Sequence, residues 1–458
     1  MVNLRPGLRW GAALALTGAL GVLGCGTSSA TATAPASASA SSLVLPSGPA
    51  PAVLVTTPIA DSTAPIPTEQ GLRRALGSLL RDRSLGRSSV VVVDPGTNTM
   101  LLGRNAQTPR TPASTIKMLT GVAAVRTLGA NTRLATRVVR QGDAIVLVGG
   151  GDATLATRGG RGPLDGGSAS LRDLARQTAR AIGDGPVRLG FDDSLFTGPA
   201  LGPGWSRGFI RSGVVAPVSA LMVDHGRRSK TSLARVSDPA RQAARTFARY
   251  LAADGVRVTS VSSMKAAPNA NEVARVESPP VAELVQRMLT ESDNDLAESL
   301  AHLTGGKAGT GASFAGGAEA VTRVVAELAL PDQGLQIVDG SGLSQQDAVP
   351  ATTLAGVLVG AARQADPVYG PIASGLPVAG ETGTLADRFR GRAAAVARGN
   401  VRAKTGTLSS VVSLAGTVKD VDGRVLVFVV IGNRVPSVTA ARRTVDDIAV
   451  RLAKCGCS

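Results

Sequence analysis

The stretch Ala113-Ser114-Thr115-Ile116-Lys117 places a serine three residues before a lysine and directly follows Pro112. Apolar residues continue behind it at helical spacing, at Met118, Leu119, Val122 and Ala123. This pattern predicts that Ser114 lies at the start of a helix. Residues three apart in a helix share one face, so the Lys117 amine can reach the Ser114 hydroxyl. An amine kept neutral by burial or a neighbouring cation can act there as the base for a serine nucleophile.

A serine and a lysine at this spacing also recur by chance, and the chain has a second copy, Ser262-Ser263-Met264-Lys265. That copy follows Val256-Arg257-Val258-Thr259, which alternates like a β-strand. Residues three apart on a strand face opposite sides of the sheet, so Ser262 and Lys265 cannot cooperate. Only the Ser114 copy has the local structure that the chemistry needs.

The small number of histidines and cysteines narrows the chemistry further. The chain contains two histidines, His225 and His302, and three cysteines. These are too few for most zinc sites, so the sequence predicts neither a metal nor a cofactor. Neither histidine lies in a catalytic sequence context, and a Ser-His-Asp triad would need one of them. A serine hydrolase built from this chain therefore needs another base.

Net charge and aromatic content decide which partners fit. The net charge is +16, which favours anionic partners such as nucleic acid, a membrane surface or a negatively charged wall. The positive residues are mostly dispersed arginines, and aromatic residues make up only 2% of the chain. Base stacking needs aromatic side chains, so the sequence predicts no nucleic acid partner.

The amino terminus is similar to an export signal. Arg5 and Arg9 precede an apolar run over residues 11–24, which is too short to span a bilayer comfortably. The run ends in Val22-Leu23-Gly24-Cys25, which resembles a lipoprotein signal with Cys25 as the acylated residue. Ordinary secretion without use of Cys25 is the alternative. Both interpretations place the protein outside the cytoplasm, on the outer face of the membrane or in the cell wall.

The chain divides into a leader, a tether and an interrupted folded domain. Residues 1–25 form the predicted signal peptide, and residues 26–67, mostly Ala, Ser, Thr and Pro, form a predicted disordered tether. Residues 68–131 and 275–458 both show helical and strand patterns of the same kind, whereas the pattern between them differs. We predict an α+β domain from these two segments, with an antiparallel sheet flanked by terminal helices and further helices between. Short strands and Gly-rich turns over 132–274 predict an inserted β-rich accessory domain.

The strand patterns place a hairpin near the carboxyl terminus. Apolar runs over 411–418 and 425–431 are joined by Asp420-Val421-Asp422-Gly423, a strong turn signal. A last helix follows, and the chain ends in Cys455-Gly456-Cys457. We expect this end to be frayed and non-catalytic, with or without a disulfide between the two cysteines.

A second polar element, Ser292-Asp293-Asn294, follows a helix-like run that ends at Leu289. The Ser292 hydroxyl can relay a proton to a leaving amine. The Asn294 amide can hold a substrate peptide group together with the Lys117 amine.

A third element, Lys404-Thr405-Gly406-Thr407, directly precedes the strand over 411–418. On an edge strand, Lys404 supplies charge for a substrate carboxylate, and the hydroxyls of Thr405 and Thr407 can bind the same group. Gly406 lets the substrate backbone lie close.

The same element can complete an oxyanion hole, because the backbone N–H of Thr407 could pair with that of Ser114. A similar stretch, Glu381-Thr382-Gly383-Thr384, is the poorer clamp because its glutamate would repel a carboxylate.

Together, Ser-x-x-Lys, Ser-Asp-Asn and Lys-Thr-Gly in this order form the signature of penicillin-binding proteins and class A β-lactamases. The order and the long stretch between Ser114 and Ser292 resemble the low-molecular-mass class C penicillin-binding proteins, the D-alanyl-D-alanine carboxypeptidase/endopeptidase family. The resemblance covers the chain from about Ser88 to Ile431. Four further stretches match the family: residues 148–155, 216–221, 339–344 and 376–380.

The resemblance implies a penicillin-binding/β-lactamase-like fold and a role for each motif. Ser114 would attack the carbonyl of the penultimate D-Ala and form an acyl-enzyme, while Lys117 takes its proton. Ser292 and Lys404 would pass a proton to the departing D-Ala. Asn294 would orient the substrate.

The resemblance also implies the substrate and the inhibitors. Thr405, Gly406 and Thr407 would bind peptidoglycan stem peptides, from which the enzyme removes terminal D-Ala or whose cross-links it cuts. β-Lactam antibiotics would acylate Ser114 and leave slowly. Two alternatives stay open: a β-lactamase or esterase of the same fold, and a non-catalytic lipoprotein that binds the cell wall.

Overall fold

The computed structural model describes residues 63–159, 168–229 and 231–458. The predicted signal peptide, Cys25 and most of the predicted tether lie outside these residues. Within the described ranges, no helix has the length and apolar character needed to cross a bilayer.

The strands fall into two five-stranded sheets. Their bounds are β1 Arg87–Asp94, β2 Thr99–Arg104, β3 Arg133–Gln141, β4 Ala144–Val148, β5 Val187–Asp192, β6 Val258–Ser263, β7 Asn271–Pro280, β8 Val401–Leu408, β9 Val411–Lys419 and β10 Val425–Asn433.

The helices precede, separate and follow these strands. Their bounds are α1 Glu69–Leu80, α2 Lys117–Leu128, α3 Leu171–Ile182, α4 Gly208–Ser212, α5 Pro239–Ala253, α6 Val281–Glu291, α7 Asn294–Ala308, α8 Phe314–Glu327, α9 Ala351–Arg363, α10 Gly370–Gly375 and α11 Val438–Ala453.

The first sheet is antiparallel, in the order β2-β1-β10-β9-β8, and is covered on both faces. Strand β1 shows why, because its run of valines is buried on both sides. Val90 and Val92 pack in a cluster with α1 and α11, whereas Val91 and Val93 pack with α2, α6, α7 and α9. The predicted α+β fold, with terminal helices flanking an antiparallel sheet, is confirmed.

The second sheet has the order β6-β5-β4-β3-β7 and lies within the predicted insert. β4, β5 and β6 pair in parallel, which requires crossover connections, and helices α3 and α5 provide them. Both helices pack on the sheet around Leu174 and Phe247. The predicted boundary at residue 274 lies inside β7, so the sheet continues to Pro280. The division into domains stays a prediction.

The carboxyl terminus is tied down, so the expectation of a frayed end is wrong. Cys455 is buried and forms a disulfide with Cys457. The carbonyl oxygen of Cys457 accepts hydrogen bonds from the backbone N–H of Thr68, at 2.9 Å, and from its hydroxyl, at 3.1 Å. These contacts join the end of the chain to the start of α1.

Candidate active site

Ser114 lies in a single 3-10 turn, Ala113–Ile116, that leads directly into α2. Ala113 has a φ of 50°, a left-handed conformation that non-glycine residues rarely adopt and that costs free energy. The turn is held by the carbonyl oxygen of Pro112, which accepts from the Thr115 and Ser413 hydroxyls at 2.8 and 2.7 Å. The backbone before Ser114 is therefore fixed from two sides.

The amine of Lys117 is completely buried and reaches three oxygen atoms. Its Nζ lies 2.9 Å from Ser114 Oγ, 2.7 Å from Asn294 Oδ1 and 2.6 Å from the carbonyl oxygen of Ser341. Amide and carbonyl oxygens only accept hydrogen bonds, so they take two protons of the amine. A neutral amine has no third proton, so its lone pair points at the Ser114 hydroxyl. This is the geometry of a general base.

The Ser341 carbonyl is positioned by a turn that buried carboxylates organise. Glu298 accepts from the backbone N–H groups of Ser341, at 2.7 Å, and Gly340, at 3.1 Å. Gly342 has a φ of 80°, and a Cβ there would collide with the Ala113 carbonyl oxygen. A glycine is therefore required where this turn meets the turn that carries Ser114.

Asp339 supports the same turn from its other side. Its carboxylate accepts from the backbone N–H of Gly342 at 2.6 Å, from that of Ser344 at 2.7 Å and from Trp205 Nε1 at 2.7 Å. The sequence showed the stretch 339–344 without giving it a role. The structure shows that it presents a carbonyl oxygen to Lys117.

Burial sets the charge of Lys117. It lowers the pKa of Lys117 to about 8, although four nearby carboxylates act in the opposite direction. One of these, Glu298, itself has a pKa raised to about 8 by burial and by its neighbour Asp339. About a tenth of Lys117 is therefore neutral at pH 7, far more than for an ordinary lysine.

Ser292 and Lys404 meet although they lie 112 residues apart in the chain. Ser292 ends α6 in the left-handed conformation, with a φ of 59°. Lys404 Nζ donates to Ser292 Oγ at 2.8 Å and to the Thr405 carbonyl oxygen at 2.9 Å. Burial, and then the charge of Lys117, hold the pKa of Lys404 well below its ordinary value. The second and third motifs thus meet through a direct hydrogen bond between their side chains.

Strand β8 carries the third motif at the edge of the first sheet. Thr405 is half-buried and Thr407 is exposed. The hydroxyl of Thr405 donates to that of Thr384 at 2.9 Å, so the stretch 381–384 lies beside the third motif. A Cβ on Gly406 would lie 2.8 Å from the Pro112 carbonyl oxygen and 3.1 Å from Ala113 Cβ. The missing side chain of Gly406 thus lets β8 approach the turn that carries Ser114.

His225 lies behind the second motif, a position that the sequence did not suggest. Its Nδ1 is 3.6 Å from Asp293 Oδ2 and 3.5 Å from Asp295 Oδ2, the residues on either side of Asn294. Arg235 donates to the His225 carbonyl oxygen at 2.9 Å and pairs with Asp295 at 3.3 Å. No local pattern could reveal this network, because its members are far apart in the chain.

The side chains of His225, Asp293 and Asp295 bring three ligand atoms within 4.8 Å of one another. We interpret them as an ion-pair network rather than a metal site. The Arg235 guanidinium already pairs with Asp295, and Arg287 Nη2 lies 3.5 Å from His225 Nε2. A cation added there would meet both arginines.

The charge of His225 predicts a pH-dependent contribution to stability. Burial lowers the pKa of His225, but Asp293 and Asp295 outweigh it and raise the pKa above its ordinary value. A raised histidine pKa stabilises the fold fully below about pH 6.5, and this contribution is lost as pH rises through the folded-state pKa. We expect His225→Gln to lower the free energy of unfolding by about 1–2 kcal/mol at pH 6, and by less at pH 9.

Denaturant titration at both pH values measures this difference, and His302→Gln is the matched control. Burial lowers the pKa of His302 to about 4, so His302 is neutral at both pH values. The cost of His302→Gln should not change with pH. A cost of His225→Gln that stays constant, or that grows with pH, would contradict the ion-pair role.

Comparison with known proteins places this chain in a family. The model of the D-Ala-D-Ala carboxypeptidase 3 (S13) family matches residues 72–232 and 227–455. Carboxypeptidase DacB of Mycolicibacterium smegmatis is 37% identical over 425 residues, which cover 90% of each chain. A D-alanyl-D-alanine carboxypeptidase of Actinomadura sp. is 29% identical over 484 residues, which cover 86% of each chain.

Solved structures give the same fold. The crystal structure of penicillin binding protein 4 (dacB) from Haemophilus influenzae superposes with a TM-score of 0.69 at 20% identity, covering 85% of this chain and all of the other. A structure of that protein complexed with a novel β-lactam matches with a TM-score of 0.64 at 20% identity, covering 82% and 98% of the two chains.

Proposed function

This chain belongs to the D-Ala-D-Ala carboxypeptidase 3 (S13) family, and we propose that Ser114 is its nucleophile. The protein is a serine-type D-Ala-D-Ala carboxypeptidase, a hydrolase that works through an acyl-enzyme. One observation carries the assignment of the nucleophile. Lys117 Nζ lies 2.9 Å from Ser114 Oγ, while Asn294 and Ser341 engage its other two hydrogen-bonding positions.

Acylation follows from this arrangement. The Ser114 hydroxyl gives its proton to the neutral amine of Lys117 as its oxygen bonds to the carbonyl carbon of the penultimate D-Ala. The resulting negative oxygen would be stabilised by the backbone N–H groups of Ser114 and Thr407. The close packing of Gly406 on the turn before Ser114 supports this pairing.

Departure of the terminal D-Ala needs a proton on its nitrogen. Ser292 would donate that proton and take another from Lys404, which lies 2.8 Å away and would in turn receive the proton that Lys117 took from Ser114. The amide C–N bond then breaks, and D-Ala leaves as a neutral amine. In the second half, water bonds to the carbonyl carbon of the ester and gives a proton to Lys117, which is neutral again. Lys117 returns that proton to Ser114 Oγ as the ester bond breaks, and the shortened peptide leaves as an acid.

Two segments would hold the substrate. Asn294 would orient the peptide through its amide, whose nitrogen is fixed by a 2.8 Å hydrogen bond to the Val214 carbonyl oxygen. Thr405 and Thr407 would bind the terminal carboxylate, with Gly406 between them on the outer strand of the sheet. An extended peptide can lie beside such an edge as an added strand.

The substrate places the enzyme outside the cytoplasm, where peptidoglycan is built. Peptidoglycan stem peptides are the substrate, and β-lactams react at the same site as inhibitors. We propose that residues 1–25 export the chain and that an acyl group on Cys25 attaches it to the outer face of the membrane. The basic amino end, the short apolar run and the cysteine that follows it support this proposal.

Digestion of purified wall peptides, followed by mass analysis, tests the function. We expect stem peptides to lose one terminal alanine, which is the carboxypeptidase product. Cleavage of cross-linked dimers to monomers would show that the enzyme also acts as an endopeptidase. Stem peptides left intact, together with rapid hydrolysis of penicillin, would instead indicate a β-lactamase.

The pH dependence of turnover tests whether Lys117 is the general base. Because only neutral Lys117 accepts the Ser114 proton, we expect kcat/KM to rise with pH and to reach half its maximum near pH 8. Below that pH it should fall about tenfold per pH unit. Hydrolysis of a soluble D-Ala-D-Ala peptide from pH 5.5 to 10 measures the profile. A rate that does not change between pH 6 and 8 would contradict Lys117 as the base.

A further inference from the structure

Helix α5 carries a row of arginines on its outer face, Arg241, Arg245 and Arg249, each four residues from the next. The opposite face is buried on the second sheet through Phe247 and Leu251. The helix contains no acidic residue. Like charges four apart destabilise a helix, so the row is not explained by the stability of α5.

On three other helices, arginines form ion pairs with acidic residues of the same helix. Arginines on α1, α6 and α8 each pair with a glutamate four residues away on the same helix: Arg73 with Glu69, Arg287 with Glu291 and Arg323 with Glu319. On α5 only Arg241 has a carboxylate partner, Asp238, which caps the helix from outside. Among the residues that the structure describes, Arg245 and Arg249 thus lack the carboxylate partners that Arg73, Arg287 and Arg323 have on their own helices.

The row borders a groove formed by two adjoining cavities of about 760 and 700 Å³. Arg228 and Arg249 line both cavities, Arg245 lines the second, and Arg158 and Arg227 line the first. Within the described ranges, no carboxylate lies within 4.0 Å of these five guanidinium groups.

The acidic residues of the groove already have partners. Asp224 accepts from the backbone N–H of Thr157, Asp238 caps α5, and Glu291 pairs with Arg287. The groove therefore has a large excess of positive charge that the described part of the protein does not neutralise.

We propose that this groove binds a phosphodiester polymer of the cell wall. Guanidinium groups bind phosphate oxygens through paired hydrogen bonds, and residues four apart on a helix are about 6 Å apart along its axis. A row with this spacing suits a chain with repeated anionic groups better than a single small anion. The proposal goes beyond the hydrolytic function and does not depend on it.

Two other anionic partners fit less well. Nucleic acid would need aromatic faces, but the one aromatic residue of the lining, Tyr250, already carries the guanidinium of Arg172 at 5.1 Å from its ring centre. A flat membrane surface would touch only the rim of a concave groove. An extended strand can follow its floor. Binding there would hold the enzyme to the wall.

The experiment measures the binding of fluorescently labelled poly(glycerol phosphate) to the folded protein by anisotropy, over a series of salt concentrations. The test variant is Arg241→Gln/Arg245→Gln/Arg249→Gln. The matched control replaces three exposed arginines of α11 by glutamine, at Arg442, Arg443 and Arg451, and removes the same charge.

We expect the α5 variant to lose at least about tenfold in affinity, and its slope of log affinity against log salt to fall by about two, since each lost phosphate contact removes about 0.7. The control should lose less than about threefold. Equal losses in both variants, no polymer binding by the unmodified protein, or tighter binding to anionic phospholipid vesicles than to the polymer would each overturn the proposal. Turnover of a soluble D-Ala-D-Ala peptide, measured alongside, should be unchanged in both variants, so a failure of the hydrolytic function would be seen separately.

Discussion

Replacing Ser114 by alanine should abolish covalent labelling by a fluorescent penicillin and lower hydrolysis of D-Ala-D-Ala peptides by about 10⁴-fold or more. The hydroxyl of Ser114 is the atom that forms the ester, and no acyl-enzyme can form without it. Gel fluorescence measures the label, and D-Ala release measures turnover. The substitution removes one oxygen from a half-buried side chain, so the thermal midpoint should change little.

The chain supplies a matched control for this variant. Ser262 also lies three residues before a lysine, but it lies on β6 and is exposed. The Ser262→Ala variant should be labelled by fluorescent penicillin, and should hydrolyse D-Ala-D-Ala peptides, to the same extent as the unmodified protein. Labelling that survives in Ser114→Ala would contradict the assignment, as would its loss in Ser262→Ala.

Replacing Lys117 by alanine should lower the rates of acylation and peptide hydrolysis by about 10²–10⁴-fold, because Ser114 loses its base. Stopped-flow acylation by a chromogenic β-lactam measures the first step directly. Lys265→Ala, in the second Ser-x-x-Lys copy, is the control and should have no effect. The expected loss lies in kcat more than in KM, because the amine acts on the reacting hydroxyl.

A second substitution separates the base from its structural role. Lys117→Ala also leaves Asn294 Oδ1 and the Ser341 carbonyl oxygen without their donor, which can disturb the site. Arginine at this position keeps donors for both oxygens but stays protonated at all accessible pH values. Lys117→Arg should therefore be as inactive as Lys117→Ala while the fold stays intact. Activity near that of the unmodified enzyme in Lys117→Arg would contradict the proposed base.

The fold was predictable because its signals are local. The valine run over 90–93 is typical of a strand, and the structure shows that this strand, β1, is buried on both faces. The turn over 420–423 indicated the hairpin of β9 and β10. Each catalytic motif also had a local context of its own: a helix start, a helix end and a strand next to a hairpin. The structure brings these contexts together through hydrogen bonds of Lys117 to Ser114 and Asn294, and of Lys404 to Ser292.

The parts of the site that were missed have no local signal. The Ser341 oxygen that holds Lys117 belongs to the backbone and lies 224 residues away in the chain. Glu298 follows Asn294 by four residues on α7, a helical spacing that could have suggested a shared face. The sequence context of His225 predicts no catalytic role, and only the folded chain shows it against Asp293 and Asp295. Contacts such as these, between a carboxylate or a turn and a residue far away in the chain, become visible only in the folded structure.

The central claim, that Ser114 is the acylated residue, is tested most directly by mass spectrometry of the protein after treatment with penicillin and trypsin. Cleavage after Arg110 and Lys117 releases the peptide 111–117, which contains three hydroxyl side chains. Fragmentation of that peptide should place the penicilloyl group on Ser114 and leave Thr111 and Thr115 unmodified. An adduct on any other residue, or an enzyme that releases D-Ala without ever carrying an adduct on Ser114, would contradict the account.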